Sequence, residues 1–100
     1  MTLEFVNEMQ NCLDVAKNEN EVYLVLEFFK TECINDLMYR FDLLNCKNKK
    51  EAAKSLYSCV WKDLIDSNAF AHGNIKFKVL YFHLRDEIVK FETIFKAGWF

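Results

Sequence analysis

A chain of 100 residues is long enough for one hydrophobic core and too short for two. Hydrophobic residues make up 52% of the chain, proline is absent and only two glycines are present, so the composition favours helix throughout. Charged residues interrupt every apolar stretch before it reaches the length of a membrane span, and no basic segment precedes an apolar one at the start of the chain. We therefore expect a soluble cytoplasmic protein with no signal peptide and no membrane partner.

Two helices are predicted in the first half of the chain. The first runs from about Thr2 to Lys17, with Thr2 as its N-cap and apolar residues three and four positions apart. The second runs from about Glu21 to Leu44, and either Asn18 or Asn20 can cap it. Its apolar stripe continues for more than twenty residues and is wide, which predicts a central helix packed on two sides.

Two further helices are predicted in the second half. One runs from about Lys49 to Asp66, and the last begins near Asn74, which can cap it, and ends at about Lys96. Short polar connections between neighbouring helices favour antiparallel packing. The sequence thus predicts an all-α fold, an antiparallel four-helix bundle that forms a single domain over residues 1–100.

Four cysteines are spread along the chain without a pattern that holds a metal. Neither a Cys-x-x-Cys pair nor a histidine at zinc-like spacing accompanies Cys12, Cys33, Cys46 or Cys59. Because Cys12, Cys33 and Cys59 fall on the apolar sides of their predicted helices, we interpret them as small buried hydrophobic residues in a reducing compartment. A disulfide or metal role is the alternative. No metal and no cofactor is predicted.

The formal net charge of −2 is unevenly distributed. Residues 1–46 contain nine acidic and three basic residues, which gives −6, whereas residues 47–100 contain ten basic and six acidic residues, which gives +4. A basic half can attract a phosphate backbone, and the same lysines can simply keep helix ends solvated.

The stretch from Asp66 to Asn74 lies between the last two predicted helices and is the best candidate for a functional site. It contains several small residues together with His72, and an imidazole titrates near neutral pH. A histidine followed by Gly73 after a helix can also be an ordinary helix terminus, with a cation near the helix dipole and a left-handed glycine.

From Asn68 to Asn74 the sequence reads Asn-Ala-Phe-Ala-His-Gly-Asn and resembles the signature of HEPN domains. These are small helical bundles that often act as metal-independent ribonucleases in toxin–antitoxin and phage-defence systems. One form of their signature reads Arg-Asn-x-Ile-Ala-His-Gly-Asn. The matching residues are Asn68, Ala71, His72, Gly73 and Asn74. Phe70 replaces the aliphatic residue, and Ser67 occupies the position of the arginine.

The resemblance implies roles for these residues. His72 would act at the 2′-hydroxyl or the leaving group of RNA, Asn68 would orient the catalytic pair, and the groove would form between two protomers. An arginine would stabilise the scissile phosphate, whereas Ser67 offers one hydrogen bond and no positive charge. The resemblance therefore implies a homodimeric RNA-binding or nucleotide-binding domain whose catalysis is lost or impaired.

Further residues around the signature can contact nucleic acid. These are Asn74, Lys76 and Lys78, although both lysines follow His72 in the sequence whereas the arginine of the family precedes it. Neither Arg40 nor Arg85 stands in the family's relation to His72.

A different class of function is also compatible with the sequence. The acidic first half can face a basic protein, as in a small immunity protein, an antitoxin or a phage inhibitor. A toxin, an antitoxin or another defence component would then be the partner. For a small-molecule enzyme the sequence contains no supporting motif.

Overall fold

The computed structural model describes residues 1–66 and 75–96. This part of the chain forms four helices, which are α1 (Leu3–Asp14), α2 (Glu19–Leu43), α3 (Lys49–Asp66) and α4 (Phe77–Lys96). α1 and α3 each pack against both α2 and α4, so the helices follow one another around the bundle in chain order. The predicted all-α, antiparallel four-helix bundle is confirmed.

The core is formed by apolar side chains from all four helices. Val6 is the one buried residue of α1, whereas α2 buries Phe29, Cys33, Leu37 and Phe41. The buried side chains of α3 and α4 are Ala53, Tyr57, Val60, Leu64, Phe77, Leu80, Leu84 and Ile88. No polar or charged residue is buried among the described residues, so apolar packing stabilises this core.

Local hydrogen bonds explain where α1 and α2 begin. The Thr2 Oγ1 atom accepts from the backbone N–H of Phe5 at 3.1 Å, and the Asn18 Oδ1 atom accepts from that of Glu21 at 2.9 Å. Both capping residues have extended backbone, as an N-cap requires. The prediction of Thr2 is confirmed, and of the two candidates for α2 the structure uses Asn18.

The end of α2 is closed by a Schellman motif. Asn45 has a positive φ of 59°, a conformation that asparagine tolerates better than most residues. Its N–H donates to the Asp42 carbonyl at 3.0 Å, and the N–H of Cys46 donates to the Phe41 carbonyl at 3.0 Å. This motif turns the chain towards α3.

Two predicted helix boundaries are wrong, and so is the predicted burial of two cysteines. α1 ends at Asp14 and not at Lys17, and α4 begins at Phe77 and not near Asn74, a residue outside the described ranges. Cys33 is buried as expected, but Cys12 and Cys59 are exposed. Cys59 directly precedes the buried Val60, and a step of one residue turns a side chain by about 100° around a helix. Cys12 lies at the edge of the α1 face that meets the bundle.

Candidate nucleic-acid interface

The resemblance motif lies in the connection between α3 and α4. Ser67, Asn68, His72 and Asn74 all fall between Asp66 and Ile75, outside the residues that the structure describes. The roles predicted for them therefore stay predictions. The described parts of this region are its two sides, the end of α3 and the segment that leads into α4.

Gln10 on α1 holds the start of α4 in place. Its Oε1 atom accepts from the backbone N–H of Phe77 at 2.8 Å, and its Nε2 atom donates to the Ile75 carbonyl at 3.0 Å. The same Nε2 atom donates to Asp14 Oδ1 at 3.1 Å. The first N–H groups of a helix have no partner within the helix, so Gln10 acts as a long-range cap for α4. The chain that leaves the motif is thus attached to α1.

Aromatic packing fixes the same point from inside the bundle. The rings of Phe29 and Phe77 are stacked, with centroids 4.1 Å apart and an interplanar angle of 7°. Both side chains are fully buried. The ring of Phe5 is also stacked with that of Phe29, with centroids 6.4 Å apart. Side chains of α1, α2 and α4 therefore pack together at the start of α4.

Lys76 and Lys78 lie at the N-terminus of α4, and both are exposed. Neither lysine has an ion pair within the described residues, and the first turn of α4 contains no acidic residue. The N-terminus of a helix carries partial positive charge, so two lysines there repel it at a cost of some tenths of a kcal/mol. Gln10 Nε2 donates to both the Ile75 carbonyl and Asp14 Oδ1, and Asp14 is the one described carboxylate with this link to Ile75. The described start of α4 therefore carries two exposed positive charges, whereas the described end of α3 carries two exposed carboxylates, Asp63 and Asp66.

The two arginines lie elsewhere, next to each other in the bundle. Arg40 and Arg85 line one small cavity of about 20 Å³ between α2 and α4. The Nε atom of Arg40 donates to Asp36 Oδ2 at 3.2 Å, and the other oxygen of this carboxylate binds the amino group of Met1 at 3.0 Å. Arg85 is eight residues beyond Phe77, which is about 12 Å along the helix axis. Neither arginine lies at the start of α4.

Two acidic groups in the core are held in their neutral forms. Burial raises the pKa of the Cys33 thiol well above its ordinary value, and the nearby Asp36 carboxylate raises it further. Burial likewise raises the pKa of the Tyr57 hydroxyl, with smaller contributions from Cys33 and Glu27. Because the thiolate is the reactive form of cysteine, Cys33 is a packing residue and a poor nucleophile.

Within residues 1–66 and 75–96, no three histidine, cysteine or acidic side chains are grouped so that they could hold a metal ion. Across the same ranges no helix is both apolar enough and long enough to cross a bilayer. Comparison of the chain with protein-family models, with curated proteins and with solved structures finds no match.

Gln10 is not recognisable from the sequence as a residue of this region. Gln10 is separated by 65 residues from Ile75 and by 67 residues from Phe77, so no local pattern connects them. The one available signal is a polar residue between the apolar Met9 and Leu13 of the predicted first helix.

Proposed function

We propose that this chain is a HEPN-like domain that binds RNA or a nucleotide at the α3–α4 connection and does not cleave it efficiently. The observation that carries the proposal is the cationic start of α4, directly after the Asn-x-x-x-His-Gly-Asn stretch. Lys76 and Lys78 are exposed there, and no acid in the first helical turn neutralises them. A phosphate group at a helix N-terminus gains from the helix dipole and from both lysines.

The fixed position of this surface supports the proposal. Gln10 binds the backbone of Ile75 and Phe77 through hydrogen bonds, and the buried ring of Phe29 stacks on that of Phe77. Binding to a surface that is already ordered avoids part of the entropy that a flexible segment would lose. His72 and Asn68 would contribute hydrogen bonds to the sugar or phosphate from the connection itself.

Loss of catalysis follows from the chemistry of position 67. Cleavage of RNA at the 2′-hydroxyl places additional negative charge on the phosphate, and a serine cannot neutralise it. His72 can still accept or donate a proton near neutral pH. Binding therefore survives the replacement of the arginine, whereas the cleavage rate falls by orders of magnitude.

Charge reversal at the start of α4 tests binding. A fluorescent single-stranded RNA of about twenty nucleotides is titrated with the protein and followed by anisotropy. The double variant K76E/K78E should bind at least about tenfold more weakly. The matched control is K50E/K54E, which makes the same change of charge on exposed residues of α3, near its other end. No binding by the natural chain, or equal loss in both double variants, would contradict the proposal.

Restoring the arginine tests the HEPN relationship separately. The variant Ser67→Arg should cleave RNA in the absence of divalent metal, and Ser67→Arg combined with His72→Ala should be inactive. His83→Ala in the same background is the control, since His83 is exposed on α4. If Ser67→Arg does not cleave and neither the natural chain nor the variant binds RNA, the nuclease relationship is wrong.

A second candidate function is that of a small interaction protein that binds a basic partner protein. Glu4 and Glu8 are exposed one turn apart on α1, and neither has an ion pair in the described part of the chain. Asp36 and Asp42, in contrast, are paired with cations of the chain itself. A stoichiometric complex with one basic protein that E4K/E8K abolishes and His72→Ala leaves intact would favour this function over RNA binding.

A further inference from the structure

The outward face of α2 exposes large apolar side chains. Leu24, Phe28, Tyr39 and Leu43 are 58%, 51%, 65% and 66% exposed. They follow one another along the side of the helix that faces away from the core, with Thr31 and Asn35 between them. We define these six residues as the α2 stripe. α2 already packs against α1 and α3 on its inner sides, so most of the stripe is left exposed, although the ring of Phe28 contacts that of Phe5 on α1 with centroids 6.1 Å apart.

The α2 stripe differs from an ordinary solvated helix face. Over the length of the stripe the exposed charged residues of α2 are Lys30 and Asp42, and Asp42 is paired with Lys49. On α3, by comparison, most exposed positions are charged and no large apolar side chain is exposed among those described. The exposed charged residues of α3 are Lys50, Glu51, Lys54, Lys62, Asp63 and Asp66. An apolar surface with so few charges is typical of a contact with another protein.

The order of residues in the α2 stripe is nearly the same when read in either direction. Leu24 and Leu43 are equally far from the point midway between Cys33 and Ile34, and so are Phe28 and Tyr39. Thr31 and Asn35 lie on opposite sides of the same point, and their distances from it differ by one residue. A surface with this symmetry is complementary to a second copy of itself that runs in the opposite direction.

We infer that two copies of this chain associate through their α2 stripes in an antiparallel pair, around a two-fold axis near the middle of α2. Leu24 would then contact Leu43 of the partner subunit, and Phe28 would contact Tyr39 of the partner subunit. Thr31 and Asn35, the two polar residues, meet near the axis and can exchange hydrogen bonds. Leucine thus meets leucine, an aromatic ring meets an aromatic ring, and a polar residue meets a polar one.

The size of the α2 stripe sets the strength of the dimer. From Leu24 to Leu43 the helix rises about 28 Å, and a helix surface about 10 Å wide gives roughly 300 Å² per subunit. This is below the roughly 800 Å² per partner that is typical of stable complexes. We expect a weak, reversible dimer.

This dimer is independent of the proposed RNA binding. The start of α4 lies beside the first half of α2, since Phe77 stacks on Phe29, and the later part of α4 lies beside the second half, since Phe91 contacts Phe41 at 4.4 Å. An antiparallel pair of α2 helices therefore places the two starts of α4 at opposite ends of the dimer. It is a different interface from the groove that the HEPN resemblance implies, and each connection would bind RNA by itself.

The test is a set of charge variants measured by sedimentation equilibrium over a range of concentrations. F28K and Y39E should each weaken self-association at least about tenfold, because each places a charge in an apolar contact. When the two variants are mixed, the lysine of F28K faces the glutamate of Y39E in the other chain, and the heterodimer should recover most of the affinity. L24K and L43E form a second pair with the same expected behaviour.

Controls distinguish this interface from general effects. V89K changes a residue of α4 that is 57% exposed and should leave the dimer unchanged. Circular dichroism of every variant checks that the helices are retained, and the L24K and L43E pair covers the case that F28K disturbs the contact between Phe28 and Phe5. A natural chain that is monomeric at millimolar concentration, single variants that dimerise normally, or mixtures that recover nothing would each overturn the inference.

Discussion

Gln10 shows how one side chain can fix a region to which it does not belong in sequence. Its amide satisfies a backbone donor and a backbone acceptor on the two sides of Lys76, and it binds Asp14 on its own helix. Both backbone groups lie where the chain enters α4, before the regular hydrogen bonds of that helix begin. The position of the two lysines therefore depends on a residue of α1.

Replacement of Gln10 should destabilise the protein. Gln10→Ala removes a cap from α4 and leaves a partly buried N–H without its partner, so we expect a loss of about 1–2 kcal/mol in the free energy of unfolding. Gln10→Glu keeps the acceptor for Phe77 but sets a carboxylate against the Ile75 carbonyl, and we expect it to destabilise as well. Urea unfolding measures both. Asn11→Ala, an exposed neighbour on α1, should change stability by less than about 0.5 kcal/mol, and a similar loss there would contradict this role.

The neutral groups of the core predict a dependence of stability on alkaline pH. The pKa values of Cys33 and Tyr57 are raised in the folded protein from ordinary values of 9.0 and 10.0. Above pH 9.0 the unfolded chain loses protons that the folded chain retains, so stability falls as the pH rises, by up to about 1.4 kcal/mol per pH unit for each group. Below this range the contribution is fully present.

Urea unfolding between pH 8 and pH 11 measures this effect. Cys33→Ala lowers stability at every pH because it leaves a cavity, but it should make the decline between about pH 9 and pH 10 less steep. Cys59→Ala, which changes an exposed cysteine, should keep the decline of the natural chain. An equally steep decline in Cys33→Ala and in the natural chain would show that the buried thiol is not responsible.

At the scale of elements, the helices differ in how much of their surface is used. α3 buries one side and presents charges on the other, the usual pattern of a surface helix. α2 buries Phe29, Cys33, Leu37 and Phe41 and still exposes large apolar residues on its opposite side. α2 packs against α1 and α3 and also contacts α4 through Phe29–Phe77 and Phe41–Phe91, yet its outward side stays exposed, which is why the proposed dimer involves this helix.

The turn after α2 predicts the effect of substitutions at Asn45. Asn45→Ala places a Cβ atom in the left-handed region without the local hydrogen bonding of asparagine, so we expect a loss of about 1 kcal/mol. Asn45→Gly should match or exceed the stability of the natural chain, because glycine adopts a positive φ without steric cost. Thermal unfolding measures the difference. Asn7→Ala, at an exposed helical position, should not destabilise, and loss of stability in the glycine variant would contradict the account.

Sequence periodicity predicted the helices well where one face of a helix was sufficient. On α2 the apolar residues three and four positions apart include all four buried residues, and residue type predicts the N-cap Thr2 and limits the N-cap of α2 to Asn18 or Asn20. On α4 the helical spacing of Phe77, Tyr81, Leu84 and Ile88 predicts a buried face that includes Tyr81 and misses Leu80, whereas Leu80 is fully buried and Tyr81 is half-buried. α4 packs between α1 and α3 and therefore buries an arc wider than a single stripe.

The candidate site was less predictable from sequence. Lys76 and Lys78 were identified because they directly follow the motif, and both are exposed. The late start of α4 and the role of Gln10 could not be predicted, because both depend on a contact between residues far apart in the chain. A helix start that is capped from another helix leaves no signature in the neighbouring sequence.

At the scale of the whole molecule, the acidic and basic halves of the sequence occupy different parts of the bundle. α1 and α2 are neighbours in the acidic half, and α3 and α4 are neighbours in the basic half. An anionic ligand is thus attracted towards α3 and α4, and the cationic start of α4 lies on this side. The proposed dimer leaves this side free, since it uses the outward face of α2.

The most direct test of the proposed function is the salt dependence of RNA binding. For a single-stranded RNA the logarithm of the binding constant falls with the logarithm of salt concentration, with a slope of about −0.7 for each phosphate contacted. We predict that the natural chain binds measurably between about 50 and 200 mM salt. In K76Q/K78Q the slope of this salt dependence should be less steep by about 1.4. K50Q/K54Q should keep the natural slope. Absence of binding, or an unchanged slope in K76Q/K78Q, would contradict an RNA-binding surface at the start of α4.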